Sequence, residues 1–330
     1  MVIHVLIWFL ILTSLLLHKL SALQTPLLSE GPEATMGQAE SCDMILYVTI
    51  PSLSQGFVTR NSMSLSKQET EFLSTFSAKG KTIFTFQEAL EFWKTPDSAT
   101  NALGRLVRKR WLFRLENGLY MIIPLEAGPE RLWSENALII ASHLVSPGAV
   151  AYWSAMRFWN MTEQLPRVQF IQTTKRKRSV NIQGINYRFV TVSDKRFFGM
   201  VRRQIEGQTV IVTDREKTLI DAADRPDLSG GIIQLAEAMS SASSEIDWEK
   251  LTGYLEKWGG GAIAKRLGYL LETLALSIPN REAIISKWQT MISRGISALE
   301  PGSPKVGPTI VRWQLQNNVP GLIPNCRHRY

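Results

Sequence analysis

The sequence predicts an α+β protein: an N-terminal helix–turn–helix with a hairpin, followed by a larger α+β domain whose C-terminal half is mainly helical. Three observations carry the prediction. Between Phe84 and Ile123 two short helical stretches are followed by a hairpin pattern. Further on, three β-like runs precede five helical ones, and strands early with helices late argue against an alternating parallel sheet. The chain has 330 residues, enough for two ordinary domains with real cores. The expected boundaries are 63–125 for the smaller and 126–330 for the larger.

In chain order, the run Val5–Leu17 is almost wholly apolar and is followed by His18-Lys19. It is short for a membrane span, which needs about 20 residues, and no basic residue precedes it as in a signal peptide. Residues 24–62 have weak periodicity, few charges and many Ser, Pro and Gly. Three accounts stay open: an upstream extension with the native start at Met63, a membrane anchor through residues 5–17, and a cleaved signal. The first is favoured, because Met63-Ser64-Leu65-Ser66 leads straight into a helix with Ser66 as cap and Glu69 three residues on.

That helix, Lys67–Ala78, turns Phe72, Leu73 and Phe76 inward, and Thr82–Phe84 is expected as a short strand. Thr85 and Glu88 have the spacing of a second capping box, opening a helix to about Trp93. Lys94-Thr95-Pro96-Asp97 breaks the chain, with Asp97 placed to cap the next helix. In that helix Ala99, Ala102, Leu103, Leu106 and Val107 make a buried stripe at i, i+3, i+4, i+7 and i+8. Trp111–Leu115 alternates as a strand, Asn117-Gly118 supplies the positive backbone angles of a tight turn, and Leu119–Ile123 returns until Pro124. This order is that of a winged helix-turn-helix. Glu126–Glu130 is a polar joint.

The second domain opens with an apolar helix, Trp133–Leu144, closed by Ser146-Pro147-Gly148. A helical piece with Tyr152, Trp153 and Trp159 follows, then strands at Val168–Thr173, Ile185–Val192 and Gln208–Thr213. Helices are expected at Arg215–Ala223, Ile232–Ser240, Asp247–Trp258, Ala262–Leu276 and Asn280–Ser293, with glycines between several of them.

The charge pattern points to an anionic partner. Net charge is +8 and the pI about 9.5, which suits a nucleic acid or an acidic protein. From Ser98 to Leu115 there are five basic residues, Arg105, Arg108, Lys109, Arg110 and Arg114, and no acidic one. Ser98, Thr100 and Asn101 occupy the helix start, placed for base edges or phosphates in a major groove. Arg105 and Arg108 can fork onto guanine or phosphate, Lys109 lies at the margin, and Arg114 reaches from the hairpin. A second concentration, Lys175-Arg176-Lys177-Arg178, begins a stretch to Arg203 with nine basic residues against Asp194. It is expected at a hairpin tip, either flanking the same DNA or meeting an acidic protein; a solvated loop is the plain alternative.

Catalytic and metal chemistry find little support. Cys42 and Cys326 lie near opposite ends, leaving no cysteine between them for a zinc site or thiol catalysis. A single disulfide between them is conceivable, though a reducing cytoplasm suits the composition better. His143 sits on an apolar helix. Asp214 and Asp221, seven residues apart, lack a third oxygen ligand and a phosphate cradle at recognisable spacing, so a helix cap and an ion pair explain them more simply. No Walker loop, Gly-x-Ser-x-Gly elbow or Gly-x-Gly-x-x-Gly follows a strand. No metal or cofactor is expected.

Four features carry a family likeness: the Thr85–Trp93 helix, the run Leu103–Leu112, the wing Gly118-Leu119-Tyr120 before Pro124, and Arg266-Leu267-Gly268-Tyr269-Leu270-Leu271-Glu272. Together with Val212–Asp221 they resemble the antitoxin of the type IV abortive-infection (AbiE) toxin–antitoxin systems, over roughly Met63–Val319. The resemblance implies a winged domain that binds inverted repeats in its own promoter and represses the operon. It implies a second domain that counters a toxin with a nucleotidyltransferase fold, without necessarily forming a stable complex; the composition suits a cytoplasmic location, with an anchor through residues 5–17 as the alternative. A stand-alone transcription factor whose second domain senses a ligand or protein is the alternative. A nucleic-acid enzyme using Asp214 and Asp221 is a third reading.

Overall fold

The computed structural model describes residues 64–322, apart from 166 and 275. The expectations for residues 1–62, Met63 and the Cys42–Cys326 pair lie outside the described residues. Within them the protein is mixed α+β, with ten α-helices and three sheets. No helix among the described residues is long and apolar enough to cross a membrane.

The first unit starts with α1 (Lys67–Ala78), where Ser66 and Glu69 close a capping box. β1 (Ile83–Thr85) leads into α2 (Phe86–Trp93), opened by a second box between Thr85 and Glu88. α3 (Pro96–Arg108) begins two residues earlier than expected. Thr95, not Asp97, is its N-cap, accepting from the Ser98 amide. Pro96 takes the first helical position, where a missing N–H is no loss, and Asp97 falls in the first turn, where its charge suits the helix dipole. The stripe on α3 packs with Phe72, Phe76 and Phe84. Leu103 and Leu106 are fully buried there, each contributing about 1.5–3 kcal/mol.

β2 (Leu112–Glu116) and β3 (Leu119–Ile122) form the hairpin, and β1 pairs with the far side of β3, all antiparallel. The turn differs from expectation. Gly118 takes a positive φ of 76° and Asn117 does not, while the register shifts between Arg114 and Glu116. One left-handed glycine plus a bulge closes this hairpin, instead of two left-handed residues.

α4 (Ala137–Leu144) starts four residues later than expected, because the Asn136 side chain caps the Leu138 amide and sets the helix start there. β4 (Ala149–Val150), α5 (Tyr152–Phe158), β5 (Val168–Thr173), β6 (Val180–Ile182), β7 (Ile185–Thr191), β8 (Met200–Ile205) and β9 (Gln208–Thr213) follow. They build a six-stranded mixed sheet in the order β6-β7-β5-β4-β9-β8. The basic cluster is not a hairpin tip. β5 pairs in parallel with β7, and β6 lies on the far side of β7, so Lys175–Arg178 belongs to the crossing from β5 to the sheet edge.

One face of this sheet shares a single apolar cluster with the first unit. Ile83, Leu115, Leu119 and Met121 pack with Ile139, Ile140, Ile171, Tyr187, Val210 and Val212. On the other side Tyr152, Phe170 and Leu228 meet. The helical half comprises α6 (Arg215–Asp224), α7 (Gly231–Ser241), α8 (Trp248–Trp258), α9 (Gly261–Thr273) and α10 (Arg281–Thr290). It surrounds its own core, against which a small sheet of β10 (Ser297–Ala298), β11 (Thr309–Ile310) and β12 (Leu315–Gln316) is folded.

Candidate nucleic-acid interface

The outer face of α3 is polar and exposed: Ser98, Thr100, Asn101, Arg105 and Arg108 all face solvent. Ser98 is partly engaged, since its hydroxyl accepts from Thr95 at 2.8 Å. The cations divide into two sets. Arg105 Nε and Lys109 Nζ donate to the two oxygens of Glu69, at 3.0 and 2.7 Å. Glu69 is fully buried on α1. Burial raises its pKa, but hydrogen bonds from Lys109, the Ser66 amide and Arg105 outweigh that and hold it at about 2. Arg105 thus keeps its terminal guanidinium nitrogens for another partner, whereas Lys109 is half-buried in the ion pair. Arg108 only touches the carbonyl of its own Gly104, and Arg114 donates to Asn117 on the hairpin turn. Both have no carboxylate partner among the described residues.

The loop after β5 is fixed at several points. Lys175 donates to the Ser146 carbonyl at 2.5 Å, and Lys177 pairs with Glu116 at 2.6 Å. Lys177 also donates to the Leu144 carbonyl. Arg176 and Arg178, between and after these anchors, are exposed. The structure therefore brings the second basic cluster to the end of β2, beside the hairpin turn. Sequence reasoning missed Glu69 and Glu116 as partners of these cations. Glu69 carried a signal, its capping-box spacing from Ser66, but nothing local announces a partner 36 or 40 residues away.

The remaining candidates each have partners in the fold. Asp214 caps α6, accepting from the Lys217 amide, and also takes Tyr254 Oη at 2.8 Å and Lys250 Nζ at 3.0 Å. Burial, then this carboxylate, pushes the Tyr254 phenol up to about 12. Asp221 faces Lys217 at 2.5 Å, with both side chains fully buried and Gln172 bridging them. Burial raises the Asp221 pKa, and Lys217 works against it. His143 Nδ1 is bonded to the Ile139 carbonyl. No group of three or more His, Cys, Asp or Glu able to hold a metal ion occurs among the described residues. An open groove of about 800 Å³ lies on the helical half, lined by Trp248, Ile284 and Lys287 among others.

The Arg266–Glu272 segment is an internal seam. Arg266 donates to the Ala223 and Ala298 carbonyls, and Tyr269 Oη to that of Leu322. Glu272 accepts from Trp313 Nε1 at 2.7 Å. Gly268 lies so close to the Trp313 ring that a Cβ would sit 2.2 Å from it.

No family model matches the chain, and no curated protein does. Among solved structures, the crystal structure of the RV2827C protein from Mycobacterium tuberculosis is similar, with a TM-score of 0.54 and 14% identity. The match covers 76% of this chain and 92% of that one. At this identity the likeness concerns the fold alone.

Proposed function

We propose that this protein is a winged helix-turn-helix repressor of its own promoter, with α2 and α3 as the helix-turn-helix and β2–β3 as the wing. On its likeness to the AbiE antitoxins, it is also the antitoxin of a type IV pair, opposing a nucleotidyltransferase-fold toxin from the same operon. The observation that carries the DNA reading is the outer face of α3, with Asn101, Arg105 and Arg108 exposed and no acidic residue from Ser98 to Leu115. Asn101 and Arg108 are the base readers in this reading, and Arg105, steadied by Glu69, reaches phosphate.

A salt titration of the full chain on its own upstream region and on scrambled DNA tests this. The repressor binds the upstream region more tightly at every salt concentration. Arg108→Ala costs about 1–3 kcal/mol on the operator if it forks onto a base, and Lys109→Ala costs less. Equal affinity of wild type for both duplexes would remove the repressor. Co-expression with the neighbouring gene tests the antitoxin role, with restored growth as the expected result. The alternative, a stand-alone factor that senses a ligand, is favoured by the groove beside Trp248, whose volume suits a small molecule. Absence of a toxin gene in the operon would select it.

A further inference from the structure

The β2–β3 hairpin is poorly equipped to hold DNA. Its turn is the two residues Asn117-Gly118, Arg114 is its one basic side chain, and the last residue of β2 is the acidic Glu116. The loop after β5 supplies what the tip lacks. Lys177 Nζ meets Glu116 at 2.6 Å, lies 5.1 Å from the centre of the Phe189 ring, and donates to the Leu144 carbonyl. Lys175 is anchored through side chain and backbone: Nζ to the Ser146 carbonyl, N to Thr173 Oγ1 at 3.2 Å, and O from Thr191 Oγ1 at 3.3 Å. With the ammonium groups of both lysines engaged, Arg176 and Arg178 are exposed and have no ion pair among the described residues. Lys177 also neutralises Glu116, the one carboxylate at the tip that would repel phosphate.

We propose that the Lys175–Arg178 loop is a surrogate wing: pinned to the hairpin by Lys177, it sets Arg176 and Arg178 on the backbone phosphates of the duplex that α3 reads. This rests on the DNA-binding reading above. A guanidinium suits the task because two of its N–H groups match two phosphate oxygens. A loop fixed at both lysines loses little freedom when its arginines bind.

The test is the salt dependence of DNA binding by the full chain, for wild type, Arg176→Ala/Arg178→Ala and Arg188→Ala. Arg188 is the charge control, since its guanidinium lies over Phe170 on the opposite side of the sheet. Each lost phosphate contact lowers the slope of log affinity against log salt by about 0.9, so the double variant loses about 1.8. From about 50 to 200 mM salt, wild-type affinity then falls about 12-fold further than that of the variant. Both variants keep the wild-type melting temperature, because all three arginines are exposed. An unchanged slope in the double variant overturns the proposal, and so does an equal loss per arginine in Arg188→Ala, which would mark a general effect of charge. Wild-type binding without preference for the upstream region overturns the repressor alone and leaves the loop to be judged by its slope. No binding to any duplex overturns both.

Discussion

Glu69 accepts from the Ser66 amide, Arg105 and Lys109 with one buried carboxylate, so it joins the start of α1 to the outer turns of α3. Its folded pKa of about 2 lies below the ordinary 4.5, which makes it a source of stability that is complete above about pH 4.5 and lost as pH falls towards 2. With allowance for screening at the half-exposed Arg105, the contribution is about 2 kcal/mol. Glu69→Gln removes it: urea titrations at neutral pH show the variant less stable by that amount, and the two proteins converge near pH 2. Parallel curves at all pH values would show that the carboxylate charge does nothing. The capping box was legible from Ser66 and Glu69, because four residues of one helix decide it. The two cations were not, since only the packing of α1 on α3 brings them to the same oxygens.

α6 carries the least ordinary arrangement of any element. Lys217 and Asp221, one turn apart, are both fully buried, and Asp221 Oδ2 has no hydrogen-bond partner. Such a pair is costly to break and cheap to replace. Lys217→Met leaves a buried carboxylate without its counter-ion and loses about 3–5 kcal/mol, whereas Lys217→Met with Asp221→Leu recovers most of it. Equilibrium urea unfolding of both variants decides this, and a neutral single variant would disprove the coupling. Elements were legible where a face is long and regular. α1, α2, β5, β9 and α6 lie within a residue or two of their predicted bounds, because burial of one stripe or one alternating face fixes them. β8 was invisible: Arg202, Arg203 and Gln204 are consecutive polar residues on a sheet edge, where no core imposes alternation. β4 has two residues and β6 three, too few for any period to show.

At the scale of the molecule, the first unit and the six-stranded sheet are joined by one apolar cluster and several polar ties. Besides Lys177–Glu116, Gln208 donates to the Gly80 carbonyl. A fragment of residues 63–125 would leave Ile83, Leu115, Leu119 and Met121 uncovered. The expected outcome is a lower melting temperature and self-association by size-exclusion chromatography, while the full chain melts α3 and the sheet in one cooperative transition. A monomeric fragment of full stability would show the cluster to be dispensable. The expectation of a joint at Glu126–Glu130 rests on the polar, Gly- and Pro-bearing composition of that stretch. The shared cluster was not legible, because an apolar residue facing a second domain looks the same in sequence as one facing its own.

That continuity also limits how such a protein changes over generations. A helical unit whose hairpin is completed by another sheet cannot be cut out and grafted onto a new body without carrying that sheet along. Change must arise by remodelling in place, with Glu116 and Lys177 replaced as a couple and the hairpin's apolar side kept matched to the surface beneath it. Inheritance here works on the joint, and the two halves travel together.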